Sequence, residues 1–122
     1  AQAPLNISTP EATALDLVAY ANRLGGIERA AETLAPLLPA FTRTRLIEAL
    51  RAGVATAHVQ RMGFVLERLG STRFVDVVER HLGGLRANRI LLEPGRAMPP
   101  GSAPAHGSRW NVVANILLEI RQ

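Results

Sequence analysis

The sequence predicts an α+β fold, with about five helices followed by a small antiparallel sheet from the C-terminal strands and an N-terminal strand as a candidate addition. Three observations predict it. Apolar residues recur at helical spacing from residue 12 to residue 82. Gly-Gly pairs and prolines punctuate that stretch into helix-sized pieces. After Gly83-Gly84 the period changes to 2, which is the spacing of a strand with one buried face.

Leu5-Asn6-Ile7-Ser8 is either a short strand or the end of a linker. Ser8-Thr9-Pro10-Glu11 starts the first helix in one of two ways: Thr9 as N-cap with Pro10 at the first helical position, or Ser8 and Glu11 as a capping box. That helix runs to residue 24 and ends at Gly25-Gly26. A second covers residues 27–38, with Ile27, Ala30, Ala31, Leu34 and Leu38 on one face; Pro36 frays or kinks its end and Pro39 closes it. The third covers 42–52, with Leu46, Ile47 and Leu50 inward. A fourth covers 54–69, carrying Val59, Met62, Val65, Leu66 and Leu69, with Gly70 as C′ residue. Ser71-Thr72 caps the fifth, over 73–82. Residues 89–93 then read as a short strand and 94–108, rich in Gly, Pro, Ser and Ala, as a flexible loop. From Trp110 to Ile120 the residues alternate between two faces, as in a half-buried strand or a hairpin arm.

At 122 residues the chain fits one domain, spanning 1–122, with a buried core, and 48% hydrophobic against 20% charged residues is the balance of a soluble globular protein. No apolar run approaches the roughly 18–20 residues that a membrane-spanning helix needs. Ala1-Gln2-Ala3-Pro4 lacks the basic and apolar regions of a signal peptide, so no membrane partner and a cytoplasmic location are expected. The absence of cysteine excludes disulfides, thiolate zinc sites and cysteine nucleophiles. All 14 basic residues are Arg, the formal charge is +4 and the pI about 11.2. Such a charge invites nucleic acid. Codon preference in a GC-rich genome produces the same Arg-for-Lys bias, and the arginines are scattered, often beside Glu. A solvated mixed-charge surface is therefore the first reading, and phosphate contact through arginines the alternative.

The chain offers few groupings for chemistry. His58, His81 and His106 are too far apart for a local metal site, the only aspartates are Asp16 and Asp76, and neither Gly-Gly pair has phosphate-loop spacing. No catalytic residue, metal or cofactor is expected, and an enzyme, such as a nuclease built from the ten acids, is disfavoured. Two polar features stand on apolar helices. Asp16 is read as solvent-facing. Gln60-Arg61 accompany Gly63 in mid-helix, where a Gly costs roughly 1 kcal/mol against Ala, so close packing or a partner needs that space.

The stretch from Ser8 to Val18 (S-T-P-E-A-T-A-L-D-L-V), then Gly25-Gly26-Ile27, then Gln60 to Gly70 (Q-R-M-G-F-V-L-E-R-L-G), then Trp110 to Asn115 together resemble the C-terminal domain of AbiEi antitoxins. The resemblance extends from about Ile7 to Ile120, with Met62 for Leu and Phe64 for Tyr as conservative departures. It implies membership of AbiE type IV toxin–antitoxin systems, linked to abortive phage infection. Neutralisation of a nucleotidyltransferase-like toxin is expected of such a domain. Operator DNA and operon autoregulation would be reached only through an N-terminal winged helix-turn-helix, which has no counterpart in the 122 residues; a truncated chain or a headless relative is expected. The matching positions Gln60, Arg61, Glu67, Asp16 and Asn115 are the candidate partner-facing or motif residues, with Arg61 also placed to pair with Asp16 or Glu67 inside the domain.

Overall fold

Thr9 sets the first helix. In the computed structural model, which describes residues 8–96, 109–116 and 118, its Oγ1 accepts the Ala12 N–H at 3.1 Å and Pro10 occupies the first turn of α1 (Pro10–Ala19). A missing N–H costs nothing there, because first-turn N–H groups have no intrahelical partner. Of the two starts the sequence allowed, the Thr9 cap is the one formed. One 3₁₀ turn (Ala21–Arg23) and Gly25-Gly26, both at positive φ, lead into α2 (Ile27–Leu34). Pro36 and Pro39 lack the N–H groups of an α ladder, so the chain tightens into a 3₁₀ segment, Ala35–Ala40.

Thr42 caps α3 (Arg43–Arg51) by accepting the Arg45 N–H at 3.2 Å. The fourth helix, α4 (Thr56–Arg68), ends where Gly70 takes φ 76° and the Ser71 N–H reaches back to the Leu66 carbonyl at 3.0 Å, a left-handed C-cap. The last, α5, spans Thr72–Gly83. Packing brings α1 against α2, α3 and α4, with α5 laid on α3 and α4. Ala14, Ile27, Leu34, Leu46, Val59, Met62, Val65, Leu66 and Val78 are fully buried between them, and Phe41 meets Phe74 edge to face at 5.3 Å. Residues 62–66 of α4 are buried all round. A helix so enclosed is central rather than half-wetted, and its third covering is the segment that follows α5.

That segment overturns the expected fold class. The protein is helix-rich, and the only strands among the described residues are two short ones, β1 (Ile90–Leu91) and β2 (Val112–Val113), paired in parallel and not antiparallel. Ile90 N–H donates to the Asn111 carbonyl at 3.1 Å and Leu92 N–H to the Val113 carbonyl at 2.9 Å. Antiparallel neighbours can be joined by a two-residue turn, whereas parallel ones need a crossover of a dozen or more residues. The long stretch between β1 and β2 is such a crossover, not a hairpin loop. The alternation expected from Trp110 onward also breaks: Val112 and Val113 are both buried, Ala114 is exposed and Asn115 buried. Most of the expected loop (97–108), the end of the expected last strand and the candidate N-terminal strand up to Ile7 lie outside the described residues.

Candidate functional site

The polar residues of α4 converge on the C-terminal segment. Gln60, only 1% exposed, donates through Nε2 to the carbonyls of Asn88 (2.7 Å) and Trp110 (2.9 Å), so one amide ties together the chain on both sides of the crossover. Arg61 donates through Nε to the Leu91 carbonyl at 3.0 Å. Burial holds the Arg61 guanidinium below its ordinary value, with the Glu93 carboxylate working in the opposite direction. Between these two donors and Glu67 sits Gly63. A Cβ there would lie within 3.0 Å of three ring carbons of Trp110, so the glycine is a notch cut for the indole. The indole Nε1 donates to Glu67 at 3.3 Å, and Arg109 spans Glu67 (3.4 Å) and Glu79 (2.9 Å) with its guanidinium 5.9 Å from the Trp110 ring. Gln60, Gly63 and Glu67 occupy positions i, i+3 and i+7, one side of the helix, and Arg61 stands about 100° around it from Gln60.

At the other edge, Asn115 replaces a backbone ladder with its side chain. Its Oδ1 accepts the Glu93 N–H and its Nδ2 donates to the Glu93 and Arg96 carbonyls, all at 2.8 Å. The amide thus pairs with Glu93 as a peptide unit of a neighbouring strand would, two residues beyond the last backbone pairing. Glu93 in turn receives the Ile27 N–H on its carboxylate at 3.2 and 3.3 Å. Gly26, the N-cap of α2, has no side chain to cap with, and a Cβ on it would collide with that carboxylate. A carboxylate at a helix N-terminus satisfies orphan N–H groups and complements the dipole. Sequence reasoning missed Glu93, which lies 66 residues from Ile27. The available signal was indirect: a helix starting at Gly-Gly needs a borrowed acceptor.

Glu11 does comparable work in the helical body. Its side chain is fully buried, accepts the Thr42 N–H at the start of α3 and the Arg45 Nε at 3.1 Å, and so clamps α1 to α3. Burial alone would raise its carboxyl; the hydrogen bonds from Thr42, from its own backbone and from Arg45 outweigh that and hold it below the usual carboxylate range.

The candidate residues therefore separate. Gln60, Arg61, Glu67 and Asn115 come together around the C-terminal segment, and Asp16 does not join them. Asp16 is exposed on α1, beside a groove shared with Tyr20, Gly53 and His58. Among the described residues, Arg61 forms no ion pair with Asp16 or Glu67. His58 has a buried Nδ1 without a hydrogen-bond partner among the described residues, and burial, aided by Arg61, lowers its pKa. Among those residues no three His, Asp or Glu side chains are grouped to hold a metal ion, and no helix is long and apolar enough to cross a membrane.

The arrangement spends its buried donors and acceptors on holding chain segments together and leaves helix faces as the surfaces on offer. Comparison with known proteins matches residues 1–68, more than half of the chain, to the family described as AbiEi antitoxin C-terminal domain. No curated protein and no solved structure matches it. The match ends at Arg68, the last residue of α4, and so contains Gln60, Arg61, Gly63 and Glu67 but not the segment they hold. With Thr9, Glu11 and the α4 motif all inside the matched region, the chain belongs to the AbiEi antitoxin C-terminal domain family.

Proposed function

We propose that this chain is the binding domain of an antitoxin, a single unit over 1–122, that neutralises a nucleotidyltransferase-like toxin in the cytoplasm by docking to it rather than by catalysis. Joined to a winged helix-turn-helix head, it would contribute to autoregulation of its operon. The observation that carries this reading is the family match over residues 1–68. In support, side chains cap the starts of α1, α2 and α3 and the helices share one buried core, which makes a preformed surface, and pre-organisation lowers the entropic cost of binding. Within this reading Asp16 and the half-exposed Glu67 contribute direct partner contacts. Gln60, Arg61 and Asn115 act through the shape they impose. Co-expression with the cognate nucleotidyltransferase-like toxin tests it. Relief of growth arrest is expected, and arrest that persists at equal expression counts against neutralisation by this domain.

A second reading has one observation in its favour, the +4 charge carried entirely by arginines. Nonspecific duplex binding at low salt, falling steeply as salt rises, would support it.

A further inference from the structure

The groove between α3 and α5 carries a pattern that extends beyond the hydrogen-bonded framework, which enters it where Arg43 Nη1 donates to the Arg73 carbonyl at 3.3 Å. On α3, Arg43, Ile47 and Arg51 follow one another at i, i+4 and i+8, and therefore stand along one face. On α5, Val77 is followed by Arg80 and His81 at i+3 and i+4. The two rows line a groove of about 230 Å³, floored by Ile47 and Val77 and edged by the three arginines and His81. Among the described residues Asp76 is the acid paired at this edge, at 3.9 Å from Arg43 and 3.6 Å from Arg80, and its side chain is half exposed. Glu79, on the same helix, is engaged by Arg109 on another side. Arg51 and Arg80 are exposed to solvent. Among the described residues, positive charge therefore exceeds negative around an apolar floor.

We propose that this groove is the docking surface for an acidic amphipathic helix of a partner protein, whose apolar side chains rest on Ile47 and Val77 while its carboxylates meet Arg43, Arg51 and Arg80. The inference rests on the binding-domain reading and gives that domain a surface and a partner chemistry. Charge complementarity selects the occupant. Arginine forks match carboxylates bidentately, and helices laid in grooves are held by anchors at i, i+3, i+4 and i+7. The apolar floor decides against a nucleic-acid backbone, because phosphates and sugars gain nothing from Ile and Val, whereas Leu or Val side chains of a partner helix do. Rim arginines of this kind act most strongly on association and on its salt dependence.

The test uses the full chain and two probes: a synthetic amphipathic helical peptide with leucines on one face flanked by glutamates, and a 20-base-pair DNA duplex without operator sequence. Variants are Arg51→Glu with Arg80→Glu, and a control carrying the same charge change elsewhere, Arg29→Glu with Arg86→Glu. The peptide should bind the native chain with a Kd that rises at least fivefold from 50 to 300 mM salt. The groove pair should weaken it at least tenfold and the control pair less than threefold. Ile47→Ser should weaken it severalfold at every salt concentration. Equal binding by the native chain and the groove variant overturns the proposal, as does peptide binding too weak to measure at 50 mM salt. Duplex binding abolished by the groove variant, with no peptide binding, overturns it in favour of nucleic acid. Toxin rescue by the native chain without any peptide binding leaves neutralisation standing and removes this surface. Peptide binding without toxin rescue keeps the surface and removes the neutralising role.

Discussion

The helical body and the C-terminal segment are held by different physics. From Pro10 to Gly83 each element buries an apolar stripe against its neighbours, and the polar contacts that matter most, at Thr9, Thr42 and Glu11, sit at helix starts. The segment after α5 has two residues of backbone pairing on each strand and little else of its own. It is fixed by side chains reaching backbone: Gln60 to Asn88 and Trp110, Arg61 to Leu91, and Asn115 to Glu93 and Arg96. A single large apolar anchor, Trp110, seats in the Gly63 notch. An isolated two-stranded pair is marginal in water, so the segment keeps its conformation only while α4 presents those groups. The motif shared with the family is, on this view, an attachment surface for the chain's own C-terminal part.

Removing the anchor should break the comparison most strongly. Trp110→Ala is expected to cost about 3–5 kcal/mol, and amide exchange at residues 90–92 should accelerate well before that of α1 to α5. Uniform acceleration across both regions would show that they unfold as one unit. Next comes the body's own buried clamp. Glu11→Ala leaves Thr42 N–H and Arg45 without their acceptor and should lower stability by about 2–3 kcal/mol, with exchange rising at the α1–α3 contact and not at 90–92. Smaller again is Asn115→Ala, about 1–3 kcal/mol, seen as faster exchange of the Glu93 amide with α3 and α5 unchanged.

Acid titration separates two groups of the body. Both Glu11 and His58 have folded-state pKa values below their ordinary ones, so the unfolded chain binds their protons more readily. Stability should therefore begin to fall below about 6.5 through His58 and fall further below about 4.5 through Glu11. In thermal melts, Glu11→Gln should flatten the lower window and His58→Leu the upper one. His58→Leu should also leave Tm at pH 7.5 equal to or above the native value, since it removes a buried unpaired nitrogen. The smallest effect is expected from Arg51→Glu with Arg80→Glu, within about 0.5 kcal/mol, because exposed charges away from buried contacts contribute little.

Much of the body could be read locally. Helix starts at Thr9 and Thr42 and the stop at Gly70 depend on groups within a few residues of one another, and all are formed. At Pro36, where the sequence predicts a frayed or kinked end, the chain leaves the α-helix already after Leu34 and tightens into a 3₁₀ segment. The candidate site was legible only in part. Gly63 announced a close approach without naming Trp110. Gln60 and Arg61 announced a polar need without showing that carbonyls 28 to 50 residues away meet it. Asp16, read as solvent-facing, is exposed.

What the sequence by itself determined is the five helices and some of their ends, such as the Thr9 start and the Gly70 stop, because capping and apolar periodicity act over three or four residues. Other ends differ: α1 stops at Ala19 rather than residue 24, α2 at Leu34 rather than 38, and Ser71 gives α5 no side-chain cap. What only the tertiary structure decided is the direction in which the strands pair, and the partners of Glu11, Glu93 and Asn115. Period-2 alternation reports that a segment is extended and says nothing of its neighbour's direction. A carboxylate's value as a cap depends on which helix start the fold brings to it, 31 residues away for Glu11 and 66 for Glu93. Such contacts form only after loop-closure entropy has been overcome by the packing of the whole body.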